Sequence, residues 1–219
     1  MEPQVFPLFA TPAMIARHPT AETLNPLLSA LFLQWEQEGD KHRSHVKRDT
    51  QTGIFESHFG LHLQRDPAVA ELFRFVYQTL VAFVRGMNRY TPEDLLRIEF
   101  DMHSWFHITR RGGYQRAHNH PNASWSAIYC VDPGDPADDG QARSGVVRFL
   151  DTRTGADMYR DPANVQMRDP YTMGPWDLRH RAGQMVVFPS YLLHEIAPYE
   201  GERPRIVVAL NLWASLRNT

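Results

Sequence analysis

Gly113-Tyr-Gln-Arg-Ala-His118-Asn119-His120-Pro121, followed closely by the apolar run Ser126-Ala-Ile-Tyr-Cys-Val131, decides the reading of this 219-residue chain. In a β-strand, side chains two apart point the same way, so His118 and His120 can grip one metal ion while Asn119 faces away. Further on, Gly183-Gln-Met-Val-Val-Phe-Pro189 is a strand closed by proline, with His194 just beyond it. Arg205 then opens a second apolar run, Ile206-Val-Val-Ala-Leu-Asn211. His194 is placed to close the metal site, and Arg205 offers a planar fork that suits a carboxylate. The chemistry implied is a metal ion plus an acidic co-substrate.

Around this stretch, runs rich in aromatic and β-branched residues alternate with turn clusters from Leu96 to the end. They predict strands at 97–109, 115–120, 124–132, 145–150, 184–189 and 205–213. The long connection 151–182, with Tyr159, Tyr171 and Trp176, is expected to be a lid. Upstream, Val5 to Met14 suits an edge strand or an extended lead-in. Thr20 is expected to cap a helix carrying Leu24, Leu27, Leu28, Leu31, Phe32 and Trp35 on one stripe. Asp66-Pro67 starts a second helix, with Val69, Leu72, Phe73, Phe75, Val76, Leu80, Val81 and Val84 on a wide apolar face that ends near Gly86. The expected fold is mainly β with N-terminal helices (α+β), a double-stranded β-helix or jelly-roll, cupin-like barrel. Residues 1–95 would be helical support and 96–219 the barrel core, together one domain.

The totals exclude several classes. A net charge of −2 and scattered cations give no reason to expect nucleic acid or an anionic membrane as partner. No window of the sequence reads as a membrane span, and the start lacks the basic and apolar regions of a signal peptide. A single cysteine, Cys130, permits no intrachain disulfide, so a soluble cytoplasmic protein is expected. Cys130 itself reads as a small core residue with no electropositive neighbour in sequence. A homodimer is allowed.

Eleven histidines make chance pairing a real alternative to ligation. His42, His45, His58, His62, His103, His107 and His180 read first as surface or hydrogen-bonded core residues. His103 and His107 share a face of their strand and could stand behind the ligands. Trp105 and Trp125 read as core. Ser126, Tyr129 and Asn211 are candidates to hydrogen-bond the co-substrate. Arg205 is harder to absorb structurally, because a buried guanidinium needs an anion.

Two families carry these features. The histidine segments resemble cupin motifs in outline, but the glutamate, glycine and late asparagine of those motifs are replaced by Ser124-Trp125, Tyr191 and Pro198. The fuller resemblance is to bacterial 2OG-Fe(II) oxygenases, distantly similar to prolyl hydroxylases. Ser104-Trp105-Phe106, Gly113 to Pro121, Ser126 to Tyr129, the 183–189 strand, His194 and Arg205 to Asn211 carry it. That resemblance implies Fe(II), 2-oxoglutarate and O2, with a substrate that is a small molecule or an amino-acid or peptide side chain. It implies His118 and His194 as metal ligands and Arg205 as the partner of the far carboxylate of 2-oxoglutarate. His120 stands where the superfamily usually has a carboxylate; Asp151 or Glu195 could supply that carboxylate instead. A three-histidine cupin-type enzyme working without 2-oxoglutarate, and a non-catalytic binding barrel, are the competing readings.

Overall fold

The computed structural model describes residues 2–46, 48–135 and 143–217. In chain order the elements are β1 (Met14–Arg17), α1 (Ala21–Gln37), β2 (Gln51–Glu56), α2 (Pro67–Met87), α3 (Pro92–Leu96), β3 (Ile98–His118), β4 (Trp125–Asp132), β5 (Val147–Phe149), β6 (Trp176–Leu178), β7 (Gln184–Pro189), β8 (His194–Ile196) and β9 (Arg205–Leu216). All strand pairings are antiparallel, in the order β1-β7-β4-β9-β3-β8-β5-β6, with β2 also on β3.

Strand β3 turns this string of pairings into a curled, two-sided barrel. Its first half pairs with β9 from Ile98↔Leu216 to Thr109↔Arg205. Its second half pairs with β8, at Gln115↔Ile196 and His118↔His194. The predicted gap between two strands is therefore a bend within one. Gly112 has φ of 79°, and a Cβ on Gly113 would lie 2.7 Å from the carbonyl oxygen of Gly53 and 2.6 Å from the Thr109 methyl. Only glycine permits that approach. The predicted strand also ran too far, because β3 ends at His118 and the His120 amide bonds the Ser190 carbonyl at 2.9 Å.

Alternation along the strands sorts two cores. Ala127, Tyr129, Met185, Val187, Ile206, Val208 and Leu210 face the helices, where they pack with Phe32 of α1 and Val69, Leu72 and Val76 of α2. Ile128, Val186, Phe188 and Val207 face the barrel interior, joined by Val147 and Phe149 of β5, Leu178 of β6 and Ile196 of β8. Asp66 caps α2 as expected, its carboxylate accepting the amides of Ala68 at 2.8 Å and Val69 at 3.3 Å. Thr20 stands at the start of α1 but makes no side-chain cap bond.

Several expectations need correction. The first 95 residues are not purely helical support, since β1 and β2 belong to the sheet. The connection 151–182 contains β6, and β8 and α3 were not anticipated. Helix α2 is long and apolar enough, by length and composition, to cross a membrane, contrary to the reading of the sequence. One face of it, from Val69 to Val84, is buried in the core beneath the sheet.

Candidate metal and co-substrate site

His118 at the end of β3, His120 in the turn that follows and His194 at the start of β8 converge, their ligand atoms all within 4.8 Å of one another. The backbone register places them, because His118 and His194 are directly paired. Their ring centroids lie 4.4 Å apart, and the ring of His120 is 5.2 Å and 5.3 Å from the other two. His118 Nδ1 lies 2.8 Å from the Arg116 carbonyl, and His194 Nδ1 lies 3.0 Å from that of Leu192. A carbonyl only accepts, so each Nδ1 carries the proton and each Nε2 lone pair is left for a cation. Burial, then the charge of His118, pushes His120 to about 4 and His194 to about 3; burial also lowers His118. All three rings are therefore neutral at pH 7, the form that binds metal. Three nitrogens with fixed orientation fit a divalent transition metal.

The two carboxylates considered as substitutes for His120 are elsewhere. Asp151 pairs with Arg153 at 2.8 Å and takes the Gly174 amide at 3.1 Å. Glu195 faces away from His194 along β8 and lies 3.8 Å from Arg148. Neither lines the cavity.

That cavity, about 390 Å³, runs from the histidines into the barrel. Ser126 and Asn211 line it as expected, on paired strands, with Ser126 Oγ donating to Asn211 Oδ1 at 2.8 Å and also 2.8 Å from Ser190 Oγ. Tyr129 does not line it. The Tyr129 hydroxyl donates to Asn25 Oδ1 at 2.6 Å on the helix side of β4, because residues 126 and 129 have opposite parity on one strand. No residue of the expected lid, 151–182, lines the cavity either; Asp151, Tyr171 and Trp176 border a separate groove with residues 7–15.

Arg205 lies deep in the cavity wall, 2 % exposed. Among the described residues its Nη2 has no hydrogen-bond partner, and no carboxylate of theirs is among the groups acting on it. Burial lowers the pKa of this guanidinium; nearby Cys130 and Tyr199 oppose that. Cys130 therefore does have an electropositive neighbour, yet burial outweighs Arg205 and pushes the thiol up to about 12, so it stays neutral.

At the mouth, residues outside the sequence-based set appear. Glu56, 5 % exposed, takes Arg48 Nε at 3.0 Å and lies 3.1 Å from His107 Nε2. Burial alone would raise this carboxyl, but the hydrogen bonds and charges of His107 and Arg48 hold it below its usual value. Trp105, read as core, lines the cavity with its indole N–H 3.0 Å from His107, and Phe59 and His103 flank it. The Phe55-Glu-Ser-His-Phe59 segment supplies both: Glu56 ends β2, and Phe59 lies just beyond it. His180, read as a surface or satisfied residue, is buried with both ring nitrogens unpartnered.

A curled antiparallel barrel holding three neutral imidazoles above a buried guanidinium defines a metal-dependent enzyme that uses an anionic co-substrate. Residues 103–211, about half the chain, match the family described as "Putative 2OG-Fe(II) oxygenase". The chain belongs to that family, whose cofactor is Fe(II) and whose co-substrates are 2-oxoglutarate and O2. Among curated proteins none matches the chain. Among solved structures, a Pseudomonas putida prolyl-4-hydroxylase superposes with a TM-score of 0.62 at 17 % identity, covering 96 % of this chain and 94 % of that one. A Trichoplax adhaerens prolyl hydroxylase gives 0.60 at 12 % identity, covering 92 % and 83 %. HygX from Streptomyces hygroscopicus, solved with nickel and 2-oxoglutarate, gives 0.54 at 12 % identity, covering 93 % and 83 %. The fold is thus the double-stranded β-helix of the 2OG-Fe(II) oxygenases, and the cupin-type alternative is not the one supported.

Proposed function

We propose that this oxygenase is a hydroxylase in which His118, His120 and His194 hold Fe(II) and Arg205 holds the distal carboxylate of 2-oxoglutarate. The observation that carries this reading is Arg205: a guanidinium 2 % exposed, with Nη2 unpartnered among the described residues, in the same cavity as three imidazoles, two of them with the tautomer set by a backbone carbonyl. A buried charge with no counterion among the described residues is costly, and an arriving anion would offset that cost. Bound Fe(II) with 2-oxoglutarate supplies the oxidising power of O2, which yields succinate, carbon dioxide and a hydroxylated substrate.

The protein's own contribution is placement. The carbonyls of Arg116 and Leu192 aim the two paired histidines, and Ser190, Ser126 and Asn211 form a chained polar wall beside them. The apolar layer of Ile128, Phe188, Ile196 and Val207 keeps water from the interior. Arg48, Phe59, His103 and Trp105 form the entrance, where a small molecule or an amino-acid or peptide side chain would present its C–H bond. We take the chain as one domain, because β1 and β2 from its first 95 residues are strands of the sheet that the remainder builds.

Adding Fe(II) and 2-oxoglutarate to the metal-free protein under argon should produce a visible charge-transfer band. Its absence in the wild-type protein would overturn the reading. Arg205→Ala should lose the band at 2-oxoglutarate concentrations that saturate the wild type.

A further inference from the structure

Among the described residues two guanidinium groups line the cavity, Arg205 deep in its wall and Arg48 at its mouth. Arg48 stands three residues before β2, on a loop tied to the strand that carries His118: the Arg116 amide donates to the Thr50 carbonyl at 2.7 Å. Its side chain is held on two sides. Nε donates to Glu56 Oε1 at 3.0 Å, and the guanidinium lies over the Phe59 ring, 5.1 Å from its centre. Glu56 is itself anchored, being 5 % exposed with its other carboxylate oxygen 3.1 Å from His107 Nε2. Neither Nη1 nor Nη2 of Arg48 hydrogen-bonds a described residue, and the side chain is 35 % exposed. From that unspent edge a run of rings leads inward. Phe59 lies 4.9 Å from Trp105, and Trp105 lies 6.1 Å from His120, measured between ring centres.

A planar fork held in one orientation, with two N–H groups side by side, suits a carboxylate. The aromatic run beside it suits an apolar body. Charge balance points the same way. Imidazoles bind metal in the neutral form, so the two positive charges of Fe(II) cancel the two negative charges of 2-oxoglutarate and the charge of Arg205 is left over. Glu56 already offsets Arg48. A carboxylate in place of His120 would have made the loaded centre neutral; with histidine there, a substrate bringing one negative charge does so. Asp49 is the other acid lining the cavity among the described residues, and it is exposed, so water and salt screen it. We propose that Arg48 is a substrate-binding residue and that the substrate is a small carboxylic acid, with its carboxylate on the Nη edge of Arg48 and its apolar body along Phe59 and Trp105 towards the histidines. This rests on the 2-oxoglutarate reading above and names the substrate class for it.

The test uses protein loaded with Fe(II) and saturating 2-oxoglutarate under argon, where ligands bind without turnover. The probes are hexanoate, phenylacetate and N-acetyl-L-leucine, each beside its primary amide, which keeps the shape and lacks the charge. Binding is followed by the broadening of ligand proton NMR lines near the paramagnetic iron. At least one acid should bind roughly 10- to 100-fold more tightly than its amide, the range for hydrogen bonds to a charged group. Arg48→Met should erase that preference and leave the affinity for 2-oxoglutarate within a few-fold of wild type. Arg48→Lys, which keeps the charge and loses the fork, should restore only part of it. No preference for any acid over its amide in the wild type, or a preference that survives Arg48→Met, overturns the proposal. Should the methionine variant not fold, Arg48→Gln, which can still donate to Glu56, carries the same contrast. Failure of the wild type to bind 2-oxoglutarate would instead sink the underlying reading, and this proposal with it.

Discussion

The two ends of the cavity are built on opposite principles. At the histidine end, donors are spent and lone pairs are left over: the Nδ1 protons of His118 and His194 go to backbone carbonyls, and their Nε2 atoms face inward. At the arginine end a donor is left over, Nη2 of Arg205 having no acceptor among the described residues. One end therefore seeks a cation and the other an anion, within one cavity. A bifunctional ligand, chelating a metal at one end and carrying a carboxylate at the other, satisfies both.

The sharpest way to break this contrast is to remove one end and ask whether the other survives. His194→Ala should weaken Fe(II) binding by at least about 100-fold, since even the partners behind a ligand are worth 10- to 100-fold. Anaerobic titration with Fe(II) checks it, and unchanged metal affinity would deny His194 its role. The next largest effect is at the opposite end. Arg205→Met should leave Fe(II) affinity within a few-fold of wild type and weaken 2-oxoglutarate by about 100-fold or more, as for truncation of a buried charge pair. The same variant should not lose stability when no co-substrate is present, because methionine removes an uncompensated buried charge. Thermal melts with and without 2-oxoglutarate separate these effects; a fall in Tm without ligand would mean that Arg205 is paired within the protein.

A third effect is smaller and depends on pH. Burial, then the Arg205 charge, pushes His180 down to about 3, far below the value of about 6.5 for an exposed histidine. Between those values the unfolded chain binds a proton that the folded protein refuses, so lowering the pH through this window favours unfolding. His120 and His194 act in the same sense without metal. Each such group contributes up to about 1.4 kcal/mol per pH unit. The urea midpoint of metal-free protein should therefore fall between pH 7 and pH 5, and His180→Gln should make that fall shallower. A slope indifferent to His180→Gln would place the ring in water.

The sequence exposed one end of this cavity better than the other. His118, His120, His194 and Arg205 were legible because each sits beside a strong strand signal or a proline stop, and chemistry makes a lone arginine in Ile206-Val-Val-Ala-Leu conspicuous. His180 was not legible: Leu178-Arg-His-Arg181 reads as a polar turn, and only the three-dimensional packing just beyond β6 reveals that it is buried. Glu56 was missed for a similar reason, since β2 is short, holds Gly53 and takes its place from β3 rather than from its own pattern, and Phe59 lies beyond the end of that strand. The helices declared themselves through apolar stripes, but the expected lid did not form over the site. Three aromatics in a long connection say nothing about which groove they border.

The smallest expected effect concerns Tyr129 and was available from parity alone. Ser126 and Tyr129 are three residues apart on one strand, so they cannot both face the cavity. Ser126 does, whereas Tyr129 is buried beneath α1 with its hydroxyl on Asn25, burial and the neighbouring Cys130 raising its pKa. The amide of Asn25 in turn holds the carbonyls of Cys130 at 3.3 Å and Val131 at 2.7 Å, so this tyrosine helps to fasten the helix to the sheet. Tyr129→Phe should leave the affinity for 2-oxoglutarate unchanged and cost about 1 kcal/mol of stability, the worth of one buried hydrogen bond. Calorimetric titration and urea unfolding on one preparation measure both. A loss of 2-oxoglutarate affinity without a loss of stability would return Tyr129 to the cavity and undo the assignment of faces on which both ends of the site depend.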